Sequence, residues 1–188
     1  PNVDAVQYFV EYVMPLLREQ LPDVRLHVVG SNPPAQVQSL ASADVIITGF
    51  VEDLTSLLDR MRISVAPLRF GAGIKGKIGS AMAVGLPVVA TPQAVEGMSL
   101  TDGENILIAA DAEKFAAAVI KIYQDESLWN RISNSGLVFV ENNWGAKVAF
   151  RNLSTILADL SINSVQNAYP LSIFSGVERK GEVTQYRS

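Results

Sequence analysis

Cysteine is absent from the 188 residues, and histidine occurs once, at His27. The first absence excludes disulfide scaffolds, thiol nucleophiles and cysteine metal sites, and fits a reducing compartment. The lone His27 sits in the apolar run LHVVG with no acidic or nucleophilic neighbour in sequence, so it reads as structural rather than catalytic. Charge is also scarce, at 18% of residues, against roughly 25% in typical soluble chains. More of the surface than usual is therefore apolar and open to a partner or second domain. The net charge of −4 lacks the basic footprint of a general nucleic-acid binder, so no nucleic-acid partner is expected. No apolar run approaches the ~18 residues of a membrane span. The start PNVDAVQYF lacks the basic-then-apolar order of a signal peptide. Cytoplasm is the expected location, and a peripheral membrane contact stays open.

What is present is a 48% hydrophobic content, enough for a full core. Val6, Phe9, Val10, Val13, Leu17 and Leu21 recur at helical spacing, with Asn2 as the expected cap and Pro15 as a kink or break. Buried-type strands are expected at 26–30, 45–49, 63–68, 87–91 and 105–109. Between them lie a weak helical pattern at 34–42 and a helix at 53–60, capped by Asp53 with Leu54, Leu57 and Leu58 on one face. A further helix places Ile74, Ile78, Ala81 and Met82 on one face and stops at Gly85 and Pro87. Another begins at the cap Asp111 and carries Phe115, Val119, Ile122 and Tyr123, and two more follow over 125–140 and 143–161. Strands alternating with helices predict an α/β, Rossmann-like parallel sheet with helices on both faces. One domain is expected over 1–161, and 162–188 reads as a C-terminal arm or tail.

In such sheets ligands bind beyond the carboxyl ends of the strands. The loop there, FGAGIKGKIGSAMAVG from Phe70, combines Gly71, Gly73 and Gly76 with Lys75 and Lys77 ahead of a small-residue helix. Glycines that take φ > 0 let a ligand approach the backbone, and free N–H groups at a helix start attract anions, so the segment is built for phosphate. GAGIKG satisfies the G-x-G-x-x-G dinucleotide fingerprint, but the next strand ends in Ala90, Thr91 and Pro92 where an acid should hold the ribose. Gly71 to Lys77 also matches the start of a P-loop, but Ile78 stands where a hydroxyl should hold magnesium, and no strand ends in an acid. The scattered acids show no metal-ligand spacing, and no metal or other cofactor is expected.

Taken with its neighbours, VVGSNPP, TGFVEDL, SVAPLRFGAG, SAMAVGLPVVAT and EGM, the block resembles the C-terminal, donor-binding domain of group 1 retaining glycosyltransferases of the GT-B fold, over about residues 1 to 160. The resemblance implies a nucleotide diphosphate sugar as donor substrate. Gly71, Ala72, Gly73 and Ile74 would meet phosphates and sugar, with Phe50 and Val51 at the base and countercharge from Lys75 or Lys77. Many family members carry two glutamates eight apart here, one at the sugar and one at the ribose; this chain has Ala72 and Ser80. Ser80 retains a hydroxyl for the ribose without the charge-assisted bond, or else packs helix against sheet. Glu96, in the loop beyond the fourth strand, is a further candidate contact. No residue is assigned a catalytic role.

The family usually opens this domain with a strand, a glycine turn and a basic pair ahead of the first helix, and precedes it with an acceptor-binding N-terminal domain. Neither occurs in this sequence. The chain is therefore expected to be part of a longer protein, partnered by that domain and inactive in transfer by itself. Two other readings remain: a degenerate, non-catalytic interaction module, which the Ala72 and Ser80 substitutions favour, and a sugar-nucleotide epimerase, which needs acids and histidines not seen here.

Overall fold

The computed structural model describes residues 1–159, so the arm expected over 162–188 lies outside the described residues. The chain divides into two compact units, Pro1–Gly145 and Ala146–Ser188.

In the first unit, helix α1 (Asn2–Tyr8) runs through a π-helical turn (Phe9–Val13) into α2 (Met14–Gln20). Pro15 is the reason the helix changes pitch. It has no N–H to return to the carbonyl of Glu11, and its ring crowds that group. Met14 N–H accordingly bonds back to the carbonyl of Phe9, the wider spacing of a π turn. The expected break is thus a widening, and the apolar stripe survives it: Phe9, Val13, Met14 and Leu17 are all buried. Asn2 is not the cap. Pro1 takes that position, and the Asn2 side chain serves another purpose described below.

The strands β1 (Leu26–Val29), β2 (Val45–Gly49), β3 (Ser64–Ala66), β4 (Val88–Ala90) and β5 (Leu107–Ile108) fall inside the expected runs. All pairings are parallel, but they form two sheets, β1-β2 and β3-β4-β5, rather than one continuous ladder. Between them run the short helices α3 (Ala35–Gln38), α4 (Leu54–Leu58), α5 (Gly76–Ala83) and α6 (Pro92–Val95). The unit ends with α7 (Ala112–Gln124) and α8 (Glu126–Asn143). Asp53, Asp111 and Asp125 cap α4, α7 and α8, each accepting a backbone N–H three residues on at 3.0, 2.8 and 2.9 Å. On α4 only part of the leucine face is inside: Leu57 is buried, whereas Leu54 is exposed.

Alternation along the strands sorts side chains into two cores, the signature of a sheet covered on both faces. Val65, Val89 and Leu107 pack with Phe9, Phe115 and Ile132 from the π turn, α7 and α8. Ala66, Val88 and Ala90 pack with Ile78, Ala81 and Met82 of α5. The first core also takes Leu26, Val28, Val45 and Ile47, so β1-β2 and β3-β4-β5 share one apolar face although no ladder joins them. Helix α5 stops at Gly85, whose carbonyl accepts the Ser133 hydroxyl of α8 at 2.6 Å.

Arg18 of α2 grips Asp44, just before β2, through two hydrogen bonds at 2.6 and 3.2 Å, and Ser42 Oγ donates to the same carboxylate at 2.7 Å. These bonds, Arg18 first and Ser42 second, hold the Asp44 carboxyl down from 3.8 to about 2. The lowered pKa stabilises the fold above pH 3.8, and that contribution is lost as pH falls through about 2. The pair is partly solvent-exposed, so Asp44→Asn is expected to cost only about 1 kcal/mol at pH 7. In urea unfolding the gap between the two proteins should shrink as pH falls from 3.8 through about 2; a gap that does not shrink would assign the loss to something other than the ion pair.

In the second unit, α9 (Ala146–Asp159) covers most of the span expected at 143–161. Phe150, Leu153 and Ile156 on it are exposed.

Candidate functional site

The glycine-rich loop leaves the carboxyl end of β3, where two contacts fix its root. Buried Thr91, at the end of β4, donates its hydroxyl to the carbonyl of Leu68, while its own N–H bonds the carbonyl of Ala66 at 3.2 Å. Arg69 then forks onto the Asp4 carboxylate of α1, with Nε to Oδ2 at 3.0 Å, and its guanidinium lies 5.0 Å from the ring centre of Tyr8. The Arg69 bonds hold the Asp4 carboxyl below its ordinary value. The first turn of α1 therefore braces the loop.

Within the loop Gly71 and Gly73 have φ of +126° and +80°, the region that favours glycine. At Gly71 a Cβ would also meet the ring of Pro1 at 3.4 Å. Gly76 is not among the positive-φ residues; it opens α5 instead. Ile74, expected on the buried face of the helix, lies ahead of it and is 72% exposed, because the helix begins two residues later.

The two lysines do different things. Lys75 turns back into its own loop, where Nζ donates to the carbonyls of Gly71, Ala72 and Gly73 at 3.0, 2.9 and 2.6 Å. Its ammonium organises three carbonyls that would otherwise repel an anion. Lys77, in the first turn of α5, reaches toward α1 and donates to Asn2 Oδ1 at 2.7 Å. Although the residue as a whole is exposed, desolvation of its ammonium lowers the pKa below the ordinary lysine value, and the charge of Lys75 adds to the shift. An ammonium so placed is stabilised by an arriving anion. The start of α5 has no side-chain cap, which leaves helix N–H groups facing the same region.

Lys77 and Ser80 both border a groove of about 710 Å³ between β1 and β3, and Gly30 to Pro34 form its opposite rim. Ser80 is exposed, so it does not pack helix against sheet; Ile78, Ala81 and Met82 do, while Gly79 gives close approach to the end of α8, a Cβ there lying 3.4 Å from the Trp144 ring. Ala72 is exposed on the loop. Phe50, 76% exposed, and the half-buried Val51 follow β2, and exposed Glu96 follows α6; all three stand on other carboxyl-end loops and do not line the groove. Among the described residues no three His, Cys, Asp or Glu side chains cluster as a metal site would need. No helix of the described residues is long and apolar enough to cross a membrane.

Sequence reasoning did not single out Asn2, Asp4, Arg69 or Thr91 for the site. Only Thr91 carried a local signal, a hydroxyl closing the apolar strand VVAT. The other three meet the loop through contacts that span 65 and 75 positions, which no local pattern encodes.

The fold matches the C-terminal domain of a glycosyl transferase group 1 family protein, LpcC, from Francisella tularensis, with a TM-score of 0.66 and 20% identity over 78% of this chain and 82% of that one. It also matches HepE from Anabaena, solved in complex with UDP and glucose, with a TM-score of 0.62 and 18% identity over 78% of this chain and 44% of that one. In sequence the chain is 26% identical over 161 residues to an uncharacterized 44.6 kDa protein in the cps region of Klebsiella pneumoniae, covering 81% of this chain. It spans 42% of the length of that relative. The architecture is thus the Rossmann-like C-terminal half of a GT-B fold. Residues 1–125 match the family described as Glycosyl transferases group 1, and the chain belongs to that family.

Proposed function

We propose that this chain binds the nucleotide diphosphate sugar of a retaining glycosyltransferase whose acceptor is bound by an N-terminal domain of the same protein. The observation that carries the reading is the pair of differently placed lysines. Lys75 shapes the loop from within, and Lys77 projects its ammonium beside an uncapped helix start. Breaking a sugar–phosphate bond leaves negative charge on the departing diphosphate. Donors already aimed at that charge stabilise it without reorganising during the reaction. Here those donors are the loop and α5 N–H groups and Lys77. Phe50 and Val51, on the loop after β2, offer an apolar surface for a base, and Ser80 offers a hydroxyl for the ribose. A cytoplasmic location is part of this reading, since a chain without cysteine is compatible with a reducing compartment.

UDP, the ligand of the Anabaena relative, is the first probe. Titration calorimetry on the natural full-length protein is expected to show binding in the micromolar range, with the anomeric configuration of the donor kept in the product by NMR. A protein that responds to no nucleoside diphosphate would instead support the non-catalytic interaction module, the reading favoured by Ala72 and Ser80 standing where many family members carry carboxylates.

A further inference from the structure

Thr91 stands where a threonine ordinarily caps a helix. It is the N-cap of α6, with the extended backbone of that position at φ −81° and ψ 159°, yet its side chain makes no cap bond. The hydroxyl turns the other way and donates to the carbonyl of Leu68, with the carbonyl of Ala66 at 3.5 Å. The start of α6 tolerates the loss, because Pro92 brings no N–H to satisfy and Ala94 N–H bonds the Thr91 carbonyl at 3.0 Å. The sheet ladder cannot serve Leu68 instead. Bonds from one parallel strand to its neighbour recur every second residue, so after Thr91 N–H on Ala66 O, at 3.2 Å, the next rung requires Gln93 N–H on Leu68 O. Gln93 has already turned into α6. The Thr91 hydroxyl takes the place of that rung and carries the alignment of β3 on β4 past the last ladder pair, Ala66 with Ala90.

A local preference set aside next to a site is the pattern that functional constraint leaves. We propose that Thr91 is a positioning residue for the glycine-rich loop, and that its hydroxyl sets the affinity of that loop for the diphosphate of a nucleotide. Leu68 and Arg69 are consecutive, and they are held from different sides, Leu68 by Thr91 at the end of β4 and Arg69 by Asp4 of α1. Two held residues in succession fix the direction in which the chain enters Gly71. The loop beyond needs such a root, because glycine gives up more backbone freedom on ordering than any other residue. Freedom already lost in the ligand-free protein does not have to be lost when a ligand binds. Lys75 gathers the carbonyls of Gly71, Ala72 and Gly73, so the root and the tip are both fixed in advance. Thr91 is only 2% exposed and acts through the Leu68 carbonyl rather than on a ligand. Its effect on affinity rests on reading the loop as a diphosphate site; its effect on the loop does not.

Thr91→Val keeps the shape of the side chain and removes the hydroxyl. In the natural full-length protein it is expected to weaken UDP binding by about 3- to 10-fold in titration calorimetry, the effect of one net hydrogen bond. Thr91→Ala, which removes the hydroxyl without setting a methyl against the carbonyl, should do the same, whereas Thr91→Ser should stay within about twofold of the parent. Without ligand, the valine and alanine variants should be cut faster by trypsin between Arg69 and Lys77, with the fragments mapped by mass spectrometry. Ser133→Ala is the matched control, because the Ser133 hydroxyl is also buried and also donates to a carbonyl, that of Gly85, at the far end of α5. It should lower the melting temperature and leave both UDP affinity and loop cleavage at the parent values. Loop cleavage at the parent rate in the Thr91 variants would overturn the proposal, and so would UDP affinity equal to that of a parent that binds UDP. Equal effects of Ser133→Ala on both readouts would overturn it as well, since a general loss of stability would then account for them. A parent protein that ignores UDP would remove the diphosphate reading alone, and the cleavage comparison would still decide whether Thr91 positions the loop.

Discussion

Replacing Phe115 by alanine is expected to remove about 3 to 5 kcal/mol of stability, the largest single-residue effect foreseen in the first unit. The ring is fully buried and meets Phe9 edge to face, with centroids 5.8 Å apart and planes at 84°. It belongs to the core that takes side chains from β1, β2, β3, β4 and β5 together, so a cavity there weakens the apolar face holding the two sheets in one unit. A domain of this size is stable by only about 5 to 15 kcal/mol, so the loss is roughly a fifth of the total or more. Urea unfolding followed by circular dichroism measures it. A loss below 1 kcal/mol would mean that neighbouring side chains close over the gap and that Phe115 does not organise the shared face. Phe115→Leu, which keeps most of the apolar volume, should recover much of the difference.

Lys77→Ala is expected to weaken nucleoside diphosphate binding by about 10- to 100-fold, the range that follows from losing a hydrogen bond to a charged group. The same change should scarcely move the melting temperature, because Lys77 makes one exposed bond to Asn2 and its ammonium is poorly solvated. The sign of that shift matters. With its folded pKa below the unfolded value, Lys77 subtracts stability at pH values below the folded pKa, and the penalty fades as pH rises toward 10.5. A bound diphosphate removes the penalty by supplying the missing countercharge. Lys75→Ala should behave otherwise, losing affinity because the carbonyls of residues 71 to 73 lose the ammonium on which they converge. Calorimetry with UDP separates the cases: Lys77→Arg should retain most of the affinity, and full affinity in Lys77→Ala would remove Lys77 from the site.

Much of the fold was legible because its determinants are local. Aspartates at positions 53 and 111 announce helix starts through bonds to N–H groups three residues away. Apolar runs of buried strands stand out between turn residues, and all five observed strands fall inside them. The ends were less legible: the run at 63–68 yields the strand Ser64–Ala66, since the ladder with β4 ends there and Pro67 has no N–H to extend one. The Pro15 perturbation was visible, but its form was not, because a kink, a break and a π turn all answer the same missing donor.

For the candidate site, glycine and lysine types led to the expectation of a phosphate-binding loop but not to the division of labour between the lysines. The spacing of Lys75 and Lys77 is the same whichever of them faces a ligand, and only the folded loop turns one ammonium inward and the other toward α1. Ser80 likewise could pack or bind by type, and its exposure decided against packing.

The sequence by itself determined the α/β class, the positions and parallel character of the strands, and the place of the glycine- and lysine-rich loop after β3, because periodicity, caps and glycine placement act over a few residues. Only the tertiary structure decided that α1 braces that loop through Asn2 and Asp4, that Thr91 pins its root, and that β1 and β3 face each other across an apolar slot. Those features join segments tens of residues apart, and their energetics depend on which groups the folded backbone brings within hydrogen-bonding distance.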